Sequence, residues 1–353
     1  MMNNTLLFNE VPRPTFRWLQ VNHTEGCVWG NDINSGVVTI SANKDIITPL
    51  ADQSLLKDTY TGVNAHVLDA VANHFFEGYT VHVPANHKES IQIDIAVSGK
   101  GNASRTRIQL HVDEGAELTV TYYLHGNTEE PSHLQLFTEL YAGSQAKVTI
   151  KKVQLLGDNV QHFEHRYANY GEQCDVKFIN IEVGGQENYY SFDNDLSGKE
   201  ASLIHDLAYI GNESQKFDIS MLMTHIGKAT CSDIHTLGAL RDTSKKSFRG
   251  TLDFLRGSVA AEGAEEDTCL LLDPTVKSVS LPLLLCKEDN VVGNHAASAG
   301  QIDQSKLFYL MSRGFSENEA KHIIVESMIR PVIDRIGDKL IEEAALEAVR
   351  KKI

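Results

Sequence analysis

Basic charge is in short supply. Thirty-two lysines and arginines stand against 47 aspartates and glutamates, a net charge of −15 over 353 residues. A surface with that excess repels a phosphate backbone unless its cations are segregated. The longest basic runs are Lys151-Lys152, Lys245-Lys246 and Arg350-Lys351-Lys352, so no nucleic-acid footprint is expected. Long apolar runs are absent as well: nothing approaches the roughly 18 residues of a membrane helix. The opening MMNNTLLFNEVPRP lacks the basic and apolar regions of a secretion signal. Cysteine is sparse. Cys27, Cys174, Cys231, Cys269 and Cys286 are odd in number, widely spaced and without a CxxC pair. That argues against a disulfide framework and against a self-contained zinc or iron–sulfur site. Reduced thiols in the cytoplasm are the plain expectation. Lys199 and Lys228 follow glycines but lack the rest of a Walker A sequence, and GxSxG, HExxH and GxGxxG are missing too.

What the chain does have is a repeat. Gly115, Gly143, Gly171, Gly198 and Gly227 are separated by 28, 28, 27 and 29 residues, each opening a run of alternating apolar and polar residues. Alternation means strand, and a glycine before each strand suits a tight turn with positive φ. IQLHV (108–112), LTVTYYL (118–124), AKVTIKKVQLL (146–156) and DVKFINIEV (175–183) fit two strands per step. A fixed step of this length predicts a mainly β fold, a right-handed parallel β-helix, over an antiparallel sandwich whose loops would vary more. The expected organisation is a short N-terminal region of mixed strands and helix at 1–80, a β-helix core at 81–300, and a helical region at 301–353. Within the first, WLQVN, GVVTI and YTVHVPA read as strands and HVLDAVANHFFEG as a helix.

The last 50 residues follow the helical period. Gln304–Arg313 forms a helix stopped by Gly314. Ser316 to Glu319 is a capping box, and Ala320, Ile323, Ile324 and Met328 give the next helix an apolar stripe. Pro331 kinks or restarts it, and Gly337 separates a final helix, Asp338 to Lys352.

The stretch HAASAGQIDQSKLFYLMSRGFSENEAKHIIVESMI, from His295, resembles the C-terminal signature of the SufB/SufD family of iron–sulfur cluster assembly proteins. The matching residues are His295, Ala297, Gly300, Gln301, Ile302, Phe308, Tyr309, Leu310, Ser312, Arg313, Gly314, Ser316 and Ala320. SFRGTLDF (247–254) and His225 with Ser232 resemble segments upstream of it. The family's fold is a β-helix with C-terminal helices, in agreement with the repeat. Gly300-Gln301 matches the SufD branch. The place where the SufB branch carries a cysteine falls near Asp267, with Cys269 two residues on.

The resemblance implies scaffold work without turnover by this chain. A SufB-type homologue and a SufC-type ABC ATPase are the implied partners, with a homodimer as a further form of the isolated chain. An iron–sulfur cluster would be held transiently at the subunit interface and not stably by this chain alone. His295 is the candidate cluster or metal residue, since a neutral imidazole suits iron; without the resemblance it would read as a hydrogen-bonded turn residue. One imidazole cannot hold a cluster that needs about four ligands, so the others would come across an interface at the last coil, around 248–295. Cys269 and Cys286 are further candidates, although both lie in apolar strands and read first as buried thiols. Cys231 with His235, and His162 with His165, are weak metal pairs; the latter two point to opposite faces of a strand. Phe308, Tyr309, Arg313, Ile323 and Ile324 are the candidate dock for the ATPase. The competing classes are a SufB-like scaffold acting as a homodimer, a β-helix protein that binds or cleaves polysaccharide, and an adhesion solenoid.

Overall fold

The computed structural model describes residues 5–15, 17–34, 36–50 and 59–353. Parts of the N-terminal region, residues 1–4, 16, 35 and 51–58, therefore lie outside the described residues. From Glu77 to Gly300 the chain winds through sixteen strands that alternate between two parallel sheets. One sheet ends on the strand Lys277–Cys286, the other on Val291–Gly300. Each coil contributes one strand to each sheet, and each strand pairs with the strand one coil away. Thus Ser132 faces Val160 and Val148 faces Val176. This is the expected β-solenoid, with eight coils.

The interior is built by alternation. Leu118, Val120, Tyr122 and Leu124 point inward on one strand; Val148 and Ile150 stack beside them, then Val176 and Phe178. The middle coils depart from an apolar filling. Lys152, His162, Glu164, Arg166, Asn180, Glu182 and His205 are all buried and cluster there. The Lys152 ammonium pairs with both Glu164 and Glu182, Arg166 with Glu164 at 2.6 Å, and Asn180 with His205 at 2.8 Å. Buried charges are tolerated when paired and hydrogen-bonded in this way. Lys152 and Arg166 also lie over the rings of Tyr190 and Phe192.

The repeated glycines do a different job from the one expected. Gly143, Gly171, Gly198 and Gly227 do not have positive φ. That conformation falls two residues later, at Gln145 (58°), Gln173 (55°), Glu200 (57°) and Ala229 (53°). Gly115 has it (65°) because it occupies that later position. The other four stack backbone on backbone. A Cβ on Gly198 would lie 2.1 Å from the Gly171 carbonyl carbon, and one on Gly227 2.3 Å from the Gly198 oxygen. Close approach between coils, not turn conformation, demands glycine here. Gly198→Ala is expected to cost about 2 kcal/mol, read as a lower urea midpoint at unchanged m-value.

Two helical layers cover the outside. Helix α1 (Ala65–Asn73), capped by Asn64, packs Leu68, Val71 and Ala72 against Phe137 and Tyr167. At the other end of the chain come α2 (Gln304–Ser312), α3 (Glu317–Ile333) and α4 (Lys339–Lys352). The capping box forms as expected: Ser316 and Glu319 satisfy each other's backbone N–H groups. Gly314 sits at φ 101°. Pro331 does not restart the helix: it lies inside α3, which closes two residues later. Of the expected apolar stripe, Ala320, Ile324 and Met328 pack inward. Val325, Ile329, Val332 and Ile333 pack with α4 onto Ile179, Ile181 and Ile210 of the outer sheet face, while Ile323 is exposed. The N-terminal segment lies along the other sheet, tied by Asn9 to Asp218 (2.6 Å) and by the Val21 carbonyl to Arg249 Nε (2.9 Å). WLQVN is not a strand: Arg17–Leu19 is a single 3-10 turn and Trp18 is 97% exposed. Among the described residues, no helix is long and apolar enough to cross a membrane.

Candidate functional site: the open end of the solenoid

The signature begins on the last strand of the coil stack. Val291–Gly300 pairs on one side with Ala261–Leu271 and, among the described residues, has no strand on the other. The partner strand sets which side chains face the interior: Ala261, Gly263, Glu265, Asp267 and Cys269 point inward, alternating with more exposed residues. Register then fixes the last strand. Gly293 lies over Gly263, His295 over Glu265, Ala297 over Asp267 and Ala299 over Cys269. His295 therefore stands on the lumen side of the final coil, flanked by small residues and exposed because no further coil of the described residues covers it.

The facing strand, Lys277–Cys286, presents Ser278, Ser280, Pro282, Leu284 and Cys286 to the same opening, by register with the inward Lys246, Phe248, Gly250, Leu252 and Phe254. A Cβ on Gly293 would lie 2.6 Å from a Leu284 methyl, so these two residues oppose each other. His295 is then opposite Pro282, and Cys286 opposite Val291. Four residues of strand, about 13 Å, separate His295 from Cys286, too far for one metal ion to take both.

Below the opening lies a polar floor. Lys246 is buried and pairs with Asp267, whose second oxygen accepts from Thr236 at 2.5 Å. Ser280 also bonds Asp267, and Lys246 donates to Ser280 at 3.1 Å. Asp267 is thus fully engaged. Glu265 is not. It is 4% exposed, and its buried Oε2 has no hydrogen-bond partner. Burial, then the charge on Asp267, push its carboxyl up to about 8. Space for it comes from Gly250, where a Cβ would fall 2.2 Å from the carboxyl group. The family-like SFRGTLDF segment thus needs its glycine for the side chain of the next strand. His225, further down, bonds Thr230 (2.8 Å) and Ser232 (2.9 Å) and stacks on Phe254.

The other candidates separate. Cys269 is buried below Ala299, and burial raises its thiol above the usual value. Cys286 is exposed, not buried as its apolar strand suggested, because it lies at the open end. His235 bonds Asp206 at 3.1 Å, and Cys231 lies four residues away along the same strand, so the C-x3-H pair does not converge. His162 and His165 take opposite faces as expected: His162 meets Tyr190 inside, while His165 accepts from the Val63 N–H at 3.1 Å. No three metal-binding side chains come together among the described residues.

On the helices, Phe308, Tyr309 and Ile323 are exposed, joined by Met311 and Phe315, and Arg313 lies 5.1 Å from the Tyr309 ring. Ile324 instead packs against Ile302, Leu307 and Ala320. Glu265, Lys246 and Ser280 were missed in the sequence. Carrying the repeat beyond Gly227 and counting back 30 residues from His295 would have found Glu265.

The SUF system FeS cluster assembly SufBD core domain matches residues 95–328. The chain is 23% identical over 319 residues to the iron–sulfur cluster assembly protein SufD of Bacillus subtilis, covering 88% of this chain and 73% of that one. It is 25% identical over 301 residues to a SufBD family protein of Mycobacterium leprae, covering 81% and 75%. A SufBD family protein of Mycobacterium tuberculosis matches at 26% over 213 residues, 60% of this chain but 25% of that protein.

Proposed function

The chain belongs to the SufBD family of iron–sulfur cluster assembly proteins, and from that premise we propose that it is the SufD-type, non-enzymatic scaffold subunit of a cytoplasmic assembly complex. The observation that carries this reading is the open last coil. His295 faces a lumen mouth bounded by two edge strands that have no further strand beside them among the described residues, and unpaired edges invite strand addition from another chain. A SufB-type homologue is the partner suited to that edge. It would supply the remaining ligands for a transient cluster, which is cargo and not a resident group. Family members are assembly subunits, and the similarity to a SufD spanning 88% of the chain favours the SufD branch over SufB.

The exposed aromatic surface of α2, Phe308 and Tyr309 with Arg313, supports docking of a SufC-type ATPase, which would bring the nucleotide hydrolysis this chain lacks sequence for. Ile323 extends that surface; Ile324 holds it to the body. Anaerobic affinity purification from the source cells tests the proposal. An ABC-type ATPase and a cysteine-bearing homologue are expected with the chain, and Phe308→Ala combined with Tyr309→Ala should lose the ATPase while keeping the homologue. Recovery of the chain alone would reject the scaffold reading.

A further inference from the structure

Among the carboxyl groups of the last coils, Glu265 is held in an unusual way. Asp267, two residues on, has its oxygens taken by Lys246, Thr236 and Ser280. Glu265 shares its strand face and its depth, yet its buried Oε2 meets no donor. An acid buried without a partner is costly and destabilising, and buried polar atoms without partners are rare enough to call for a reason. The chain also goes out of its way to seat it. Gly250, on the facing sheet, is the one residue type that leaves room, because any Cβ would come within 2.2 Å of the carboxyl. Directly over it, in strand register, stands His295 at the open mouth. Gly293, Ala297 and Ala299 flank the histidine on the same face, so the imidazole is the one large inward side chain that the last strand sets above Glu265 and its neighbours.

We propose that Glu265 is a second donor of this chain, beside His295, for a ferrous ion at the solenoid mouth. The inference rests on the scaffold reading above and adds to it the ligand this subunit gives to the incoming metal. An imidazole nitrogen and the oxygen of a carboxyl group that releases its proton to water as the metal binds, on adjacent strands, form a mixed N,O pair suited to Fe(II). Two donors from one chain leave the other coordination positions to water or to a partner, which fits a site that must release what it assembles. Cys286 takes no part, being four residues along the opposite strand.

The test is anaerobic titration of the full-length chain with Fe(II), followed by calorimetry and by the iron-induced rise in melting temperature. One saturable site is expected. Glu265→Gln, nearly isosteric, and His295→Ala should each weaken it about tenfold or more and remove the rise in melting temperature, while the iron-free melting temperature of E265Q stays at or above that of the parent. Gly250→Ala, which displaces the carboxyl without touching a donor, should weaken the site as well. Absence of saturable binding by the parent chain, or wild-type affinity in E265Q, overturns the proposal. The scaffold reading is judged separately: E265Q should still recover the ATPase and the homologue, and their loss from the parent chain would count against that reading and not against the iron site.

Discussion

His295→Ala is expected to leave the fold intact and to cut cluster loading of the assembled complex at least about tenfold. The side chain is exposed on an edge strand and supports no hydrogen bond among the described residues, so its removal falls among surface substitutions worth within about 0.5 kcal/mol. Melting temperature and circular dichroism should therefore match the parent chain. The chemistry should not. Small residues surround the imidazole on the lumen face, Asp267 is fully bonded, Cys269 is buried with a raised thiol, and Cys286 lies about 13 Å along the strand. Among the described residues, the four strands of the last two coils hold no second histidine to replace it as a nitrogen ligand. Iron and sulfide recovered with the anaerobically purified complex should fall at least about tenfold, with subunit stoichiometry unchanged. Normal iron content in that variant would remove His295 from the site.

Acid destabilises this protein steeply. Burial holds His162 and His165 down at about 3 and His225 at about 4, and lowers His205 well below the usual value. Each is neutral in the folded chain, while in the unfolded chain it takes a proton near pH 6.5. Unfolding thus takes up protons below pH 6.5, and stability is lost as pH falls from there toward 3. Glu164, held down to about 2 against the burial that opposes it by Lys152 and Arg166, adds a loss in the same direction below about pH 4.5. Glu265 and Glu182 act oppositely: burial raises both, so the folded state keeps their protons and their contribution improves as pH falls. Four imidazoles outweigh two carboxyls. Net uptake on unfolding grows from less than one proton at pH 6.5 to about two near pH 5, where the slope reaches about 3 kcal/mol per pH unit. Urea midpoints across that range measure it. His162→Phe should flatten the slope by about 1.4 kcal/mol per unit, because neither ring nitrogen of His162 has a hydrogen-bond partner to lose. A pH-independent midpoint would mean that these histidines are hydrated in solution.

Much of the architecture is written in local pattern. The 27–29-residue step and strand alternation are one-dimensional signals, and they specify a solenoid because each coil can bury its inner face only against the next. Capping residues and glycines likewise mark the three C-terminal helices, since their effect ends within a turn. The glycines, by contrast, were given the wrong reason. A sequence shows that Gly198 precedes a strand; it does not show that Gly171 lies one coil beneath it, at a distance that admits no Cβ. The polar filling of the middle coils was illegible for the same reason. Lys152, Glu164 and Glu182 come from three different strands, and each alone looks like a solvated charge.

The site divides along the same line. The signature from His295 onward gave away the family, because motif and neighbours are contiguous in the chain. That His295 stands over Glu265 at an uncovered lumen, that Cys286 is exposed but out of reach, and that Ile324 packs while Ile323 does not, were decided by tertiary structure alone. Register between strands 30 residues apart and the ending of the coil stack set which side chains meet, and both are properties of the folded chain.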